Sequence, residues 1–259
     1  MNDDEPQNGP VFACDAGNTT LEWSVWQDGQ WSPQFRMSAE QEEIEKDLSD
    51  ALGRTTPPPS KAARCIVASV RPNLTALLRD CWTDAGGAAP LEFFGRDLHI
   101  PIRADVRSRH RVGVDRLLCA LGASQTVGAP CIVVAAGSAI VIDAVDSSGA
   151  FMGGAIAPGF RLAARSLQRD TECLPLVEPD PEVEPPADNT EDAMRAGLQW
   201  LCRGGAAELV RRTGSILEDE VPIVVTGGDA RRLLPLPGLG HARWIPDLVF
   251  RGIAAALGL

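Results

Sequence analysis

Residues 11–20 read VFACDAGNTT, a short apolar run that ends in an aspartate and then in a glycine turn. Apolar residues alternate again from Leu21 to Trp26, which predicts a β-hairpin with its turn at Gly17 and Asn18. A carboxylate at a strand end, followed by such a turn, lets backbone N–H groups approach an anion closely. The stretch therefore fits a loop for phosphate and Mg²⁺, although Asp, Gly and Asn are also common in ordinary turns.

The same pattern occurs a second time. Residues 132–145 read IVVAAGSAIVIDAV, again an apolar strand, a turn of small residues and an apolar strand. Aligning the two stretches places Gly17 opposite Gly137, 120 positions later, which predicts two related halves. The apolar run at 65–70 predicts a buried strand, and a following helix would make it part of a parallel pair.

The segments between these motifs are predicted as helices and one long loop. Apolar spacing predicts helices at 40–52, at 73–81 with Asn73 as its cap, at 112–126 and at 161–169. Residues 175–188, PLVEPDPEVEPPAD, are rich in proline and acidic residues, which predicts a long mobile loop.

Composition limits the classes of protein. The 259 residues are 44% apolar, enough for one large domain or two ordinary ones. A net charge of −11 repels a phosphate backbone, so we expect no nucleic-acid partner. No apolar run approaches the ~18–20 residues that span a bilayer, and the acidic start lacks the apolar segment of a secretory signal. We expect a cytoplasmic protein without membrane contact, whose seven cysteines are mostly small packing residues.

Three further motifs place small residues or carboxylates at the ends of predicted elements. Residues 137–139, GSA, would give a second set of amides for phosphate. TGGDA at 226–230 leaves a buried strand, and its bare backbone could lie against a flat group such as adenine. GVDR at 113–116 opens a helix, where Asp115 is either a first-turn acid that complements the helix dipole or a general base.

Together these motifs resemble those of the type III pantothenate kinases, of the acetate kinase, sugar kinase and actin superfamily. The resemblance runs from about Val11 to Gly252 and includes ASVRP at 68–72, GGAIAPG at 153–159, NTEDA at 189–193 and DLVFRG at 247–252. It implies two ribonuclease-H-like α/β halves with mixed sheets, residues 1–127 and 128–259, that close over ATP. It also implies a homodimer that phosphorylates pantothenate in the first step of coenzyme A biosynthesis, using ATP, Mg²⁺ and an activating K⁺ or NH₄⁺.

The resemblance also implies roles for individual residues. Asp115 is the general base, and Gly113 and Arg116 lie on the pantothenate side. Thr190 matches a substrate-contacting threonine near the dimer interface, although capping its helix explains it equally well. Asp15 is the metal ligand. The residues that would bind ATP are Asp15, Gly17, Asn18, Thr19, Gly137, Ser138, Ala139, Gly227 and Gly228.

Three positions depart from the family's pattern. Ala135 replaces an aspartate of the second phosphate loop, and Glu22 replaces a lysine that many members carry. Val106 replaces a tyrosine that often precedes the Gly-x-Asp-Arg motif, and residues 107–111 are rich in arginine. These changes keep two alternatives open: a catalytically weak paralogue that binds a nucleotide or metabolite as a regulator, and a kinase for another small alcohol.

Overall fold

The computed structural model describes residues 9–39, 44–217 and 221–259. The acidic start of the chain and the beginning of the helix predicted at 40–52 lie outside these ranges. The described chain divides into two compact units. The first combines the residues up to Pro101 with His110–Leu118 and Val249–Leu259, and the second combines Ile102–Arg109 with Cys119–Leu248. The sequence predicts a single division of the chain, after residue 127, whereas each observed unit joins separate segments.

The first unit contains a five-stranded mixed sheet. Its strands are β1 (Val11–Ala16), β2 (Thr20–Gln27), β3 (Gln30–Ser38), β4 (Arg64–Ser69) and β5 (Leu91–Phe93), in the order β3-β2-β1-β4-β5. Strand β1 pairs antiparallel with β2 and parallel with β4. The predicted hairpin is therefore confirmed, and the carboxyl ends of β1 and β4 lie side by side at one edge of the sheet.

Helices α1 (Ile44–Gly53) and α2 (Thr75–Asp84) bury their apolar positions in the same core as this sheet. Trp23 and Trp82 lie at its centre, fully buried and stacked, with ring centroids 5.9 Å apart. Aromatic pairs of this kind stabilise a core beyond the area that they bury. The predicted cap of α2 is wrong: a short 3-10 turn precedes the helix, and Leu74 rather than Asn73 takes the N-cap position.

Helix α3 (Val114–Val127) starts in the first unit and ends in the second. The sheet of the second unit consists of β6 (Cys131–Ala136), β7 (Ala139–Val145), β8 (Phe151–Pro158), β9 (Ile223–Thr226) and β10 (Arg243–Trp244), in the order β10-β9-β6-β7-β8. The remaining helices are α4 (Phe160–Asp170), α5 (Thr190–Gly214), α6 (Ala230–Leu233) and α7 (Leu248–Leu257). Alternate residues of β6 and one face of α5 form the main apolar core of this unit.

The two sheets have the same topology. In each, a first strand pairs antiparallel with the second, the second antiparallel with the third, and the first parallel with the fourth. Gly17 and Gly137 directly follow the corresponding strands β1 and β6. The prediction of two related ribonuclease-H-like halves with mixed sheets is therefore confirmed.

The cysteines pack as predicted. All seven lie within the described residues and none forms a disulfide bond; six are buried, and Cys173 is exposed. Within the described ranges, no helix is both long and apolar enough to cross a membrane.

Candidate active site

The first predicted phosphate loop connects β1 to β2. The amide of Gly17 donates a hydrogen bond to the carbonyl of Thr20 at 3.0 Å, which closes a tight turn, and the amide of Ala39 donates to the carbonyl of Thr19 at 2.9 Å. Asn18 at the tip of the turn is exposed, and Gly17 and Thr19 are half-buried. The turn is thus fixed by its own backbone and by the end of β3, while its tip faces solvent.

Asp15 lies in a row of charged residues that crosses three strands. It pairs directly with Glu22 of β2, and Glu22 pairs with Arg36 of β3, so the three side chains share one face of the sheet. The pKa of the Asp15 carboxyl is raised to about 7, first by burial and then by the charges of Asp115 and Glu22, while Arg36 acts to lower it. Glu22, where the resemblance implies a lysine, therefore makes it harder for Asp15 to ionise.

Asp115 lies in the first turn of α3. The backbone N–H groups of Arg116 and of Asp115 itself stabilise its ionised carboxylate, as expected for a first-turn acid, but burial is the larger effect and raises its pKa. Gly113 provides the space for this carboxylate, since a Cβ there would lie 2.3 Å from Oδ1 of Asp115. Because the charge of Asp115 also raises the pKa of Asp15, the structure brings both predicted carboxylates together in the first unit.

The second predicted phosphate loop connects β6 to β7 and is one residue shorter than the first. The amide of Gly137 donates to the carbonyl of Ala139 at 3.0 Å, and the amide of Gly159 donates to the carbonyl of Ser138 at 3.0 Å. A Cβ at Gly159 would lie only 2.1 Å from the carbonyl oxygen of Gly137. The bare backbone at Gly159 therefore lets the start of α4 pack directly against this loop.

The predicted adenosine loop follows β9 and contacts the end of β6. Gly227 has a φ of +92°, and a Cβ there would lie 2.3 Å from the carbonyl oxygen of Ala136, so only glycine fits. The same carbonyl accepts a hydrogen bond from the amide of Asp229 at 3.0 Å. The second unit thus brings Gly227 next to the strand that leads into the second phosphate loop.

Gly228 lines a cavity of about 360 Å³. The other lining residues are Asp180, Glu182, Gln199, Arg203, Arg231 and Arg232. Two of them, Asp180 and Glu182, belong to the acidic Pro-rich loop that the sequence analysis predicts to be mobile.

The structure holds the acidic Pro-rich loop in a defined position. The side chain of Gln199, buried in α5, donates to the carbonyls of Pro179 at 2.8 Å and Pro181 at 3.1 Å and accepts from the amide of Val183 at 2.9 Å. Two ion pairs add to it, Arg203 with Glu182 and Arg232 with Asp180. Sequence reasoning missed Gln199, since nothing in the residues around it indicates a role in binding a loop.

Thr190 is exposed at the first position of α5, and the structure does not bring it next to the other predicted site residues of the second unit. It does not cap the helix, because the side-chain oxygen of Asn189 accepts from the amide of Asp192 at 3.0 Å. Thr190 lines an apolar groove of about 440 Å³ between α4 and α5 instead. Its other lining residues include Leu167, Leu174, Met194 and Leu201.

Val106, where the resemblance implies a tyrosine, lies beside the strand β8. A Cβ at Gly153 would lie 3.3 Å from its Cγ1. Of the neighbouring arginines, Arg107 and Arg111 are exposed, and Arg109 donates to the carbonyl of Ile102. Exposure of this kind is typical of a solvated charged surface.

Two mixed sheets of identical topology, each with a glycine loop after its first strand, define the class of protein. The fold is that of the actin-like ATPases and sugar kinases. Component A of (R)-2-hydroxyglutaryl-CoA dehydratase from Acidaminococcus fermentans is similar in fold, with a TM-score of 0.51 at 15% identity over 95% of both chains. The activator of 2-hydroxyisocaproyl-CoA dehydratase from Clostridium difficile has a TM-score of 0.54 at 10% identity, over 95% of this chain and 92% of its own.

Sequence comparison gives the family. The model of type III pantothenate kinase matches residues 11–212. The type III pantothenate kinase of Gluconobacter oxydans is 32% identical over 94% of this chain and 91% of its own, and that of Thiobacillus denitrificans is 31% identical over 95% and 96%. The chain belongs to the type III pantothenate kinase family.

Proposed function

We propose that this protein transfers the γ-phosphoryl group of ATP to pantothenate, forming 4'-phosphopantothenate in the first step of coenzyme A biosynthesis. The family supplies the reaction. The observation that supports the proposal for this chain is that the charge of Asp115 raises the pKa of Asp15. These are the two carboxylates that the proposed reaction needs. No feature of the described residues favours the alternative of a regulator without catalysis.

Asp115 is the proposed general base. A base works best when its pKa lies near the operating pH, and burial raises the pKa of Asp115 in that direction. In this role its carboxylate accepts the proton of the attacking hydroxyl group, while the guanidinium of Arg116 and the backbone at Gly113 orient the acceptor. Thr190 is proposed as a further contact of pantothenate.

The glycine loops are proposed to bind the nucleotide. In the first unit, Gly17, Asn18 and Thr19 would donate hydrogen bonds to phosphate oxygens from the exposed turn. In the second unit the proposed ATP contacts are Gly137, Ser138, Ala139, Gly227 and Gly228. Phosphoryl transfer depends mainly on such positioning and on neutralising charge, so fixed loops of this kind are suited to it.

Asp15 fits a magnesium ligand. Among the described residues there is no cluster of three or more His, Cys, Asp or Glu side chains that could hold a metal by themselves. Mg²⁺ in kinases needs only one or two carboxylates, because phosphates and water complete its shell. Burial, and then the negative charges of Asp115 and Glu22, raise the pKa of Asp15, and a divalent cation would stabilise its ionised form. When bound, Mg²⁺ would supply charge neutralisation at the phosphates.

The activating K⁺ or NH₄⁺ fits the second loop less well. Ala135 offers no carboxylate, which leaves backbone oxygens and the hydroxyl of Ser138. Asp143 of β7 has a buried carboxylate on the same face of the sheet as Ala135. It pairs with Val133, which precedes Ala135 by two residues in β6. The proposed reaction includes no step through this ion.

We further propose a cytoplasmic homodimer. Large apolar side chains of β8, α4 and α5 are exposed, among them Ile156, Leu162 and Leu201, each more than half exposed. Large apolar side chains that are this exposed support an interface with another chain. Seven cysteines without a disulfide bond among them support a reducing compartment.

The test is a coupled assay of ADP release with ATP, Mg²⁺ and pantothenate, with and without K⁺ or NH₄⁺, and mass spectrometry of the product. We expect ADP release that depends on pantothenate and one phosphate added to it. ATP binding without any turnover would contradict the proposal and favour the regulator. Turnover only with another alcohol would contradict the assignment of the acceptor.

A further inference from the structure

Arg71 lies beside the first phosphate loop although it is distant from it in sequence. The carboxyl ends of β1 and β4 are adjacent, and the amide of Val70 donates to the carbonyl of Ala16 at 3.2 Å. The hydroxyl of Ser69 then fixes the next residue, because it accepts from the amide of Arg71 at 3.0 Å and donates to its carbonyl at 3.2 Å. The backbone of Arg71 is therefore held at the edge where the phosphate loop begins.

The guanidinium of Arg71 reaches across to this loop. Its Nη1 donates to the carbonyl of Asn18 at 3.1 Å and to that of Ala39 at 3.4 Å. A guanidinium has five N–H donors, so Nε and Nη2 retain three. Within residues 9–39, 44–217 and 221–259, these three have no recorded partner, and Arg71 forms no ion pair. The side chain is half-buried, so ordering it costs little further freedom.

The surroundings of the first phosphate loop are negatively charged, so a nearby cation would be stabilising. Asp15, Asp115 and Glu22 place three carboxylates in this part of the first unit, and the nearest cation in register, Arg36, lies two strands away from Asp15. Nucleotide phosphates add further negative charge. A guanidinium suits them because its N–H groups can bind two phosphate oxygens at once.

We propose that Arg71 binds phosphate oxygens of the nucleotide at the first loop and supplies the positive charge that Glu22 does not. This inference rests on the proposed kinase function. Nη1 holds the loop through Asn18, and Nε and Nη2 contact the phosphates. Arg71 is thereby a specificity residue for the phosphate chain rather than for the nucleoside.

The experiment measures dissociation constants of ATP, ADP and adenosine for the parent protein, R71M and a control. The control is R79M, which removes the same charge from an exposed arginine of α2. A charge-assisted contact to phosphate corresponds to about 10- to 100-fold in affinity. We expect R71M to lose that factor for ATP and ADP, to keep the affinity for adenosine and the KM for pantothenate, and to show a weaker dependence of ATP binding on salt. R79M should match the parent protein.

Each other outcome is decisive. Equal ATP affinity in R71M and R79M would overturn the role of Arg71 while leaving the proposed function intact. A rise only in the KM for pantothenate would mean that Arg71 binds the acceptor's carboxylate instead. An equal loss for ATP and adenosine would mean that it only supports the loop.

If R71M does not fold, R71K decides: ATP affinity within about tenfold of the parent supports the proposal, and an equal loss for both ligands overturns it. A parent protein that binds no ATP would refute the proposed function itself.

Discussion

Replacing Asp15 with asparagine should stabilise the protein at alkaline pH and abolish Mg²⁺-dependent phosphoryl transfer. The pKa of this carboxyl is raised from 3.8 to about 7 in the folded protein, first by burial and then by Asp115 and Glu22. A carboxyl with a raised pKa binds its proton more tightly when folded. Its contribution to stability is therefore fully present below pH 3.8 and is lost as the pH rises through about 7.

The size of this effect follows from the shift. The rise in pKa corresponds to about 4 kcal/mol at full effect, since one unit is about 1.4 kcal/mol. Because Asp15 is only half-buried, solvent screening reduces this to about 2 kcal/mol above pH 7. The carboxamide of D15N carries no charge at any pH, so the variant avoids the cost. Part of the stability advantage of D15N over the parent is already present at pH 5. This advantage therefore grows by a further amount of about 1 kcal/mol between pH 5 and pH 8.

Urea unfolding of D15N and the parent at pH 5 and pH 8 measures this gain, and an ATP titration with Mg²⁺ on the same samples measures function. D80N is the control, because it removes a charge from an exposed aspartate of α2. We expect the pH-dependent gain in D15N alone, together with loss of turnover. A gain that does not change with pH, or a variant less stable at pH 8, would refute the electrostatic argument.

Three further substitutions test the site. D115N should lower kcat by about 10²- to 10⁴-fold with ATP binding retained, because an amide cannot accept the hydroxyl proton; near-normal turnover would exclude Asp115 as the base. E22K should lower the KM for ATP by about 3- to 10-fold at low salt and less at high salt, since opposite charges ~5 Å apart attract by a few kcal/mol before screening; an unchanged KM would mean that this side chain is directed away from the phosphates. G159A should raise the KM for ATP at least tenfold and cost about 1–3 kcal/mol of stability, because its methyl group would lie 2.1 Å from the carbonyl oxygen of Gly137. G204A in α5, where a Cβ has nothing within 4 Å, is its control, and equal behaviour of the two would show that the second loop adjusts freely.

The sequence predicts the two halves because their signals are local. Period-two alternation and a glycine turn are enough to specify each hairpin, and the repetition of the pattern at Gly137 reveals the second half. The carboxylates could be found for the same reason, since Asp15 ends a strand and Asp115 begins a helix. Local patterns do not fix where a helix begins. Asn73 has the right residue type for a cap but lies in a 3-10 turn before the helix.

The features that sequence reasoning missed depend on contacts between distant segments. Arg71 reaches Asn18 across 53 positions, only because β1 and β4 are parallel neighbours. Residues 175–188 have the composition of a mobile loop, yet Gln199 and Arg232 hold them through partners up to 52 positions away. Composition describes a segment by itself, and such tertiary partners override it.

The positions of the tryptophans give the first unit a fluorescence signal of its own. Trp23 and Trp82 of the first unit are buried, whereas Trp200 and Trp244 of the second are each 42% exposed. The chain contains no tyrosine, so its ultraviolet emission comes almost entirely from indole rings. Indoles that are shielded from water emit at shorter wavelengths than hydrated ones. Trp26 and Trp31 of the first unit are half-buried, so the red edge is shared by both units. The blue edge of the emission spectrum reports on the half that carries Asp15, without any added dye.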